Sequence, residues 1–212
     1  GIDTLDCQVA INGIVPDLCA GNANRADIGP DTFSGVEKII GGAGNDILIG
    51  DNGANTLNGS DGADTLDGGG GDDRLAGDAG DDELIGGIGN DTYLGGAGTD
   101  VLSFFTLSDG IDLDIGAGTV ADISGTLGVN STFSGVESFI GTNFTDTIIG
   151  SAGDDIIDAG GGIDAVQAGA GADIIGFDTS NEFIDGGAGQ DRIKLFGGSQ
   201  VLDETNLANV TS

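Results

Sequence analysis

The 212-residue chain carries 36 Asp and Glu against 5 Lys and Arg, a formal net charge of -31, with 44 glycines and no His, Met or Trp. So acidic a surface repels nucleic-acid phosphates and anionic membrane faces, and without His neither a histidine triad nor a histidine zinc site can form. No apolar run approaches the ~18 residues of a membrane span, and no signal peptide is expected because no basic stretch followed by an apolar one opens the chain. High charge with 5% aromatics usually gives disorder, yet 38% hydrophobic residues argue for some ordered core.

In chain order, residues 1–31 read as the end of a preceding repeat followed by a non-repeat β segment. Gly1 to Leu5 fit positions four to eight of a nonapeptide, so a fragment of a longer array is expected. Cys7 and Cys19 fall here. A disulfide between them would contribute ~2–3 kcal/mol in an oxidising setting; the alternative is two free, buried, small apolar residues.

Residues 32–103 form a first block of eight nonapeptides. After a worn copy, TFSGVEKII, come GGAGNDILI, GDNGANTLN, GSDGADTLD, GGGGDDRLA, GDAGDDELI, GGIGNDTYL and GGAGTDVLS without a break. Residues 104–131 lack the repeat. There Ile111 to Ile115 alternate as in a half-buried strand, and Gly116-Ala117-Gly118 turn the chain towards Thr119 to Ile123, which predicts a hairpin. A second block, 132–203, opens on TFSGVESFI and runs through GTNFTDTII, GSAGDDIID, AGGGIDAVQ, AGAGADIIG, FDTSNEFID, GGAGQDRIK and LFGGSQVLD. The identical TFSGVE at 32–37 and 132–137 points to an internal duplication. Residues 204–212 remain as a tail.

The eighth position holds Ile39, Leu48, Leu57, Leu66, Leu75, Leu84, Tyr93 and Leu102, then Phe139, Ile148, Ile157, Val166, Ile175, Ile184, Ile193 and Leu202. All are apolar. One inward side chain per nonapeptide describes a strand of about three residues, which can bury nothing until it stacks on its neighbours as a solenoid. The remaining six residues form a turn, where Gly at positions one, two and four would permit positive φ and close backbone approach.

The sixth position supplies carboxylates: Asp46, Asp64, Asp73, Asp82, Asp91 and Asp100, then Asp146, Asp155, Asp164, Asp173 and Asp191, with Glu37, Glu137 and Glu182 on longer arms and Asn55 and Gln200 neutral. Aspartate forms turns readily, but turn propensity does not explain eleven at one phase of a strict period. Carboxylates and carbonyls with no nitrogen or sulfur donor suit calcium, a hard cation of variable geometry.

The consensus GGxGxDxUx, matched closely over 41–103 and with erosion over 141–194, resembles the RTX (repeats-in-toxin) family, whose nonapeptide is a known calcium-binding β-helix pattern. The resemblance implies an all-β parallel β-roll with two nonapeptides per turn and calcium between loops stacked on the same side. Repeat n then pairs with repeat n+2, and the best-formed sites would be 46/64, 64/82, 82/100, 73/91, 146/164, 155/173 and 173/191. Backbone oxygens of Gly41, Gly42, Gly44, Gly59, Asp61, Gly62, Gly68, Gly70, Gly77, Asp78, Gly80, Gly87, Gly89, Gly96 and Gly98 would complete them, for about 7–10 ions in all. Pairs involving Glu182, Asn55 or Gln200 depart from the pattern and are expected to be partial or empty.

No catalytic residue is expected. The basic residues Arg25, Lys38, Arg74, Arg192 and Lys194 are scattered, the usual activating base is absent, and the obvious carboxylate pairs belong to the loops. The resemblance implies a calcium-dependent module of a larger secreted or cell-surface bacterial protein, joined to flanking domains, exported unfolded and folding outside the cell. The second reading is an adhesin or surface-layer recognition module that binds glycan or a neighbouring chain.

Overall fold

The computed structural model describes residues 4–6, 15–17, 22–25, 29–32, 36–177, 183–195 and 207–208. Cys7, Cys19, Glu182, Gln200 and Leu202 lie outside them, and with them the disulfide and the pairs that would use positions 182 and 200. Every regular element among the described residues is a strand, of two to six residues. The fold is an all-β parallel solenoid. The chain divides into two compact units, one of residues 1–102 with 131–136, the other of 103–130 with 137–212.

In the first unit, Lys38–Ile40, Thr56–Asp61, Arg74–Ala79 and Thr92–Ala97 pair in parallel through Lys38, Thr56, Arg74 and Thr92. A second sheet stacks Ile47–Ile49, Thr65–Asp67, Glu83–Ile85 and Val101–Ser103. Each partner lies eighteen residues further on, as in Lys38 to Thr56, so one turn of the roll consumes two nonapeptides. After Thr92–Ala97 the spacing changes: Thr92 pairs with Thr132 and Tyr93 with Phe133. The opening of the worn copy TFSGVESFI is therefore a strand, Asn130–Ser134, rather than a loop.

In the second unit, Thr147–Ile149, Ala165–Gln167 and Phe183–Asp185 form one parallel stack, and Ser138–Ile140, Ile156–Asp158, Ile174–Phe177 and Arg192–Leu195 the other. The expected hairpin is present. Ile111–Asp114 runs antiparallel to Thr119–Asp122, with Ile111 opposite Asp122 and Asp114 opposite Thr119. Its first strand also pairs in parallel with Thr147–Ile149, taking the place a repeat strand would hold.

The core is the eighth position. Ile39, Leu48, Leu57, Leu66, Leu75, Leu84, Tyr93 and Leu102 are fully buried, and Phe139, Ile148, Ile157, Val166, Ile175 and Ile184 nearly so; Ile193 is half-buried. The two eighth-position side chains of each turn supply most of the apolar burial the repeat offers. The polar loops on either side must therefore be stable by other means.

Candidate metal centre

Every position-six aspartate lies inside the roll. Asp46, Asp64, Asp73, Asp82, Asp91, Asp100, Asp146, Asp155, Asp164, Asp173 and Asp191 are all buried, as is Asn55, whereas Glu37 is half-buried and Glu137 exposed. The pairing of repeat n with repeat n+2 is direct. Asp46 N–H donates to Asp64 Oδ1 (2.7 Å), Asp64 N–H to Asp82 Oδ1 (2.8 Å), and Asp82 N–H to Asp100 Oδ1 (2.9 Å). On the other edge Asn55 N–H reaches Asp73 Oδ1 (2.7 Å) and Asp73 N–H reaches Asp91 Oδ1 (2.9 Å). The second unit repeats the ladder at 146/164, 155/173 and 173/191. All seven pairs that the resemblance implies are brought together.

One oxygen of each carboxylate is thus used. The other is different: Oδ2 of Asp64, Asp73, Asp82, Asp173 and Asp191 is buried with no hydrogen-bond partner. A buried carboxylate oxygen without a donor is costly, and neighbouring rungs carry like charge. Burial, followed by repulsion from Asp46, Asp82 and Asp61, raises the Asp64 pKa to about 6. Burial and the charges of Asp91, Asp51 and Asp72 raise Asp73 to about 7. Asp82, buried and facing Asp100, Asp78 and Asp81, rises to about 6. Asp91, Asp146 and Asp173 are also raised, each chiefly by burial.

The glycines divide by position. Of the two uses open to position-one glycine, positive φ and close approach, Gly41, Gly59, Gly68 and Gly77 do not adopt the first. Their requirement is room. A methyl group at Gly59 would overlap Asp64 Oδ2 and approach the Gly77 carbonyl; at Gly77 it would overlap Asp82 Oδ2 and approach that of Gly95; at Gly68 it would overlap Asp73 Oδ2 and approach that of Gly86. The unpartnered Oδ2 and a carbonyl from the next loop therefore converge on the position-one Cα. Position four does take positive φ, at Gly62, Gly80, Gly89 and Gly98, with each Cα against the corresponding carbonyl of the loop below. The carbonyls of Gly42 and Asp61 already accept interloop N–H groups, from Asp61 and Gly44, and a carbonyl has a second lone pair to offer.

Position two separates two kinds of loop. In Ser60, Gly69, Asp78, Gly87 and Gly96, and in Gly160, Gly169 and Gly187, φ is positive. In the leading loops of the stacks, Gly42, Asp51, Thr142 and Ser151 lie outside that region. There the position-two N–H turns onto its own position-six side chain: Gly42 to Asp46 Oδ2 (2.7 Å), Asp51 to Asn55 Oδ1 (2.8 Å), Thr142 to Asp146 Oδ2 (2.8 Å) and Ser151 to Asp155 Oδ2 (2.7 Å). Thr142 and Ser151 add their hydroxyls, to Asp146 Oδ1 (2.8 Å) and Asp155 Oδ1 (3.0 Å).

Two sets of residues escaped the sequence reading. At position five, Asn45, Asp72, Asp81 and Asp154 accept the N–H of Ala63, Asn90, Thr99 and Ala172, bracing the outside of the loops. The excess of Asn and Asp at that position was the available signal. Ser131 and Ile111, outside any repeat, occupy position-six rungs beside Asp91 and Asp146; no periodicity marks them.

Among the described residues no three Asp, Glu, Cys or His side chains converge on one point. Two carboxylates and a set of backbone oxygens are what each interior loop pair offers, an all-oxygen, anionic donor set that fits calcium. Comparison with known families agrees. The RTX calcium-binding nonapeptide repeat matches in four copies, at residues 31–66, 67–102, 140–175 and 178–199. No curated protein matches the chain.

Proposed function

Because the chain belongs to the RTX calcium-binding nonapeptide repeat family, and so is a calcium-binding module, we propose that calcium is the switch that folds it. The observation that carries this is the row of buried Oδ2 atoms without donors at Asp64, Asp73, Asp82, Asp173 and Asp191. Adjacent rungs lie about one interstrand spacing apart, ~5 Å. At an effective dielectric of ~20 two such charges repel by roughly 3 kcal/mol, and several in series exceed the ~5–15 kcal/mol net stability of an ordinary domain. A bound cation removes that repulsion.

Position-six aspartates of successive loops, 46/64, 64/82, 82/100, 73/91, 146/164, 155/173 and 173/191, would hold the ions. Carbonyls of positions one, two and four, among them those of Gly59, Gly77, Gly62 and Gly80, would supply the remaining oxygens. About 7–10 ions would be taken up along the chain. The residues do the rest: position-one glycine leaves room for Oδ2, and position-eight side chains lock the turns once the loops close.

The role is structural. The module would belong to a larger bacterial protein, secreted or held at the cell surface, that leaves the cell unfolded where calcium is scarce and folds where it is abundant. Binding and folding would then be one equilibrium. Far-UV circular dichroism of the 212-residue chain tests it. At a pH above the raised carboxylate values, about 8, the β signal should develop only as calcium is added and disappear with excess chelator. An equal signal in both conditions would sink the proposal.

A recognition role is the second reading. A cleft of about 280 Å3 beside the hairpin is lined by Asp112, Asp114, Thr119, Asn130 and Thr147 together with Leu113 and Ile149, a mixture that suits sugar hydroxyls over apolar faces. A glycan array probed in calcium and in chelator would detect it; no bound glycan in calcium would dismiss it.

A further inference from the structure

Of the interior-type loops in the first unit, the one closed by Asp91 departs from its neighbours in what meets its Oδ2. At Gly59, Gly68 and Gly77 that space is shared by an aspartate Oδ2 and the carbonyl of the next loop; at Gly86 it is shared by Asp91 Oδ2 and the Tyr93 hydroxyl. Tyr93 donates to Asp91 Oδ2 (3.1 Å) and is fully buried. It is the single tyrosine of the chain, and it stands at an eighth position otherwise filled by hydrocarbon side chains.

The following rung is also altered. Where the ladder would continue with a carboxylate, Ser131 takes the place. Asp91 N–H donates to Ser131 Oγ (2.7 Å), as Asp73 N–H donates to Asp91 Oδ1 (2.9 Å). The Ser131 hydroxyl in turn lies 3.4 Å from the Gly89 carbonyl, and Ser131 is buried. The register makes the equivalence explicit, since Thr92 pairs with Thr132 just as Arg74 pairs with Thr92. A neutral hydroxyl replaces an anion, and a second hydroxyl supplies the hydrogen bond that Asp64, Asp73 and Asp82 lack at Oδ2.

We propose that Tyr93 and Ser131 are a hydrogen-bonded plug that ends the calcium ladder at Asp91. Beyond Asp91 this edge of the roll is held by hydroxyl groups instead of an ion. Tyr93 positions Asp91 and meets its charge from within the core; Ser131 keeps the backbone rung while withholding the carboxylate a further site would need. The stack so acquires a defined end that does not depend on metal, the task of a terminal repeat in any solenoid.

This rests on the calcium-binding reading, and calorimetric counting of calcium on the 212-residue chain separates the two. If wild type takes up no calcium, the reading itself fails. If it does, the double variant Tyr93→Phe/Ser131→Asp, which frees Asp91 Oδ2 and restores a carboxylate on the next rung, should bind one ion more than wild type. Ser131→Asp alone should add none, because Tyr93 still occupies Asp91 Oδ2, and Tyr93→Phe alone should lose none. An unchanged count in a folded double variant would overturn the plug, as would a lost ion in Tyr93→Phe or a gained ion in Ser131→Asp alone.

Discussion

The loops closed by Asp82 and Asp146 have the same length and end on the same residue, yet their carboxylates meet different surroundings. Asp146 is saturated: Oδ1 accepts from Ile111 N–H and the Thr142 hydroxyl, and Oδ2 from Thr142 N–H, each at 2.8 Å. Asp82 accepts Asp64 N–H at Oδ1, and its Oδ2 is buried without a donor. The difference is written at position two, where Asp78 has φ 72° and Thr142 does not take positive φ. A leading loop thus satisfies its own acid, while an interior loop presents half of its acid to something else. Leading loops are closed by hydrogen bonds within the chain, whereas interior loops leave one carboxylate oxygen for the cation proposed above.

The widest test of that contrast is pH, because it acts on all interior acids together. Asp64, Asp73 and Asp82 are raised to about 6, 7 and 6, chiefly by burial and then by like charge. A carboxylate raised above its unfolded pKa of about 4 stabilises the fold below that value and loses the contribution as pH climbs through the folded pKa. In calcium-free buffer the β signal should therefore grow as pH falls from about 8 to about 5. In calcium the order reverses, since protons compete for the same oxygens and the calcium needed for half-folding should rise over that range. A calcium-free β signal that stays flat across it would show that interior charge is not the barrier.

Single substitutions sharpen the contrast further. Asp82 faces a rung on either side, Asp64 and Asp100, so Asp82→Asn should remove up to two ions. It should also raise the calcium midpoint by roughly tenfold or more, each tenfold being ~1.4 kcal/mol. Asp146→Asn should remove at most one ion. Its main effect would be on stability, about 1–3 kcal/mol, because an amide nitrogen cannot accept the N–H groups that Asp146 holds. Calcium counting with thermal melts in saturating calcium would separate the two. Equal ion losses would erase the distinction between leading and interior loops.

Much of this was legible in the sequence. The eighth-position column marked which face is inward, and the sixth-position aspartates, set at one phase by the period, fell on the rungs that the family resemblance implied. Alternation at Ile111 to Ile115 marked the hairpin. What escaped was relational. That position-one glycine must leave room for its own loop's Oδ2 depends on a carbonyl of the next loop, brought against that carboxylate only by stacking. Ser131 takes a rung from outside the repeat, after a spacing of forty residues instead of eighteen, which no search at a fixed period can reach. The leading loops share their motif with interior ones, and the backbone angle at position two, with the N–H bonds of Gly42, Asp51, Thr142 and Ser151 to their own position-six side chains, tells them apart.

The smallest effect is the most selective, because it asks one residue type to act in opposite directions at the same repeat position. Ser60 holds φ 81° in an interior loop, a region unfavourable to any residue with a Cβ. Ser60→Gly should relieve roughly 1 kcal/mol of backbone strain, offset in part by loss of the hydrogen bond from the Ser60 hydroxyl to Asn58 Oδ1 (2.8 Å). A small net gain in thermal stability is expected. Asp51 occupies position two of a leading loop outside the positive-φ region, and its Oδ1 accepts Gly53 N–H (2.7 Å). Asp51→Gly removes that bond and adds backbone freedom to the unfolded chain, so it should lower stability by about 0.5–1 kcal/mol. Thermal melts of both variants in saturating calcium should move in opposite directions. If both fall, position two does not distinguish the loops, and the self-capped ends must be attributed to the hydroxyls of Thr142 and Ser151 alone.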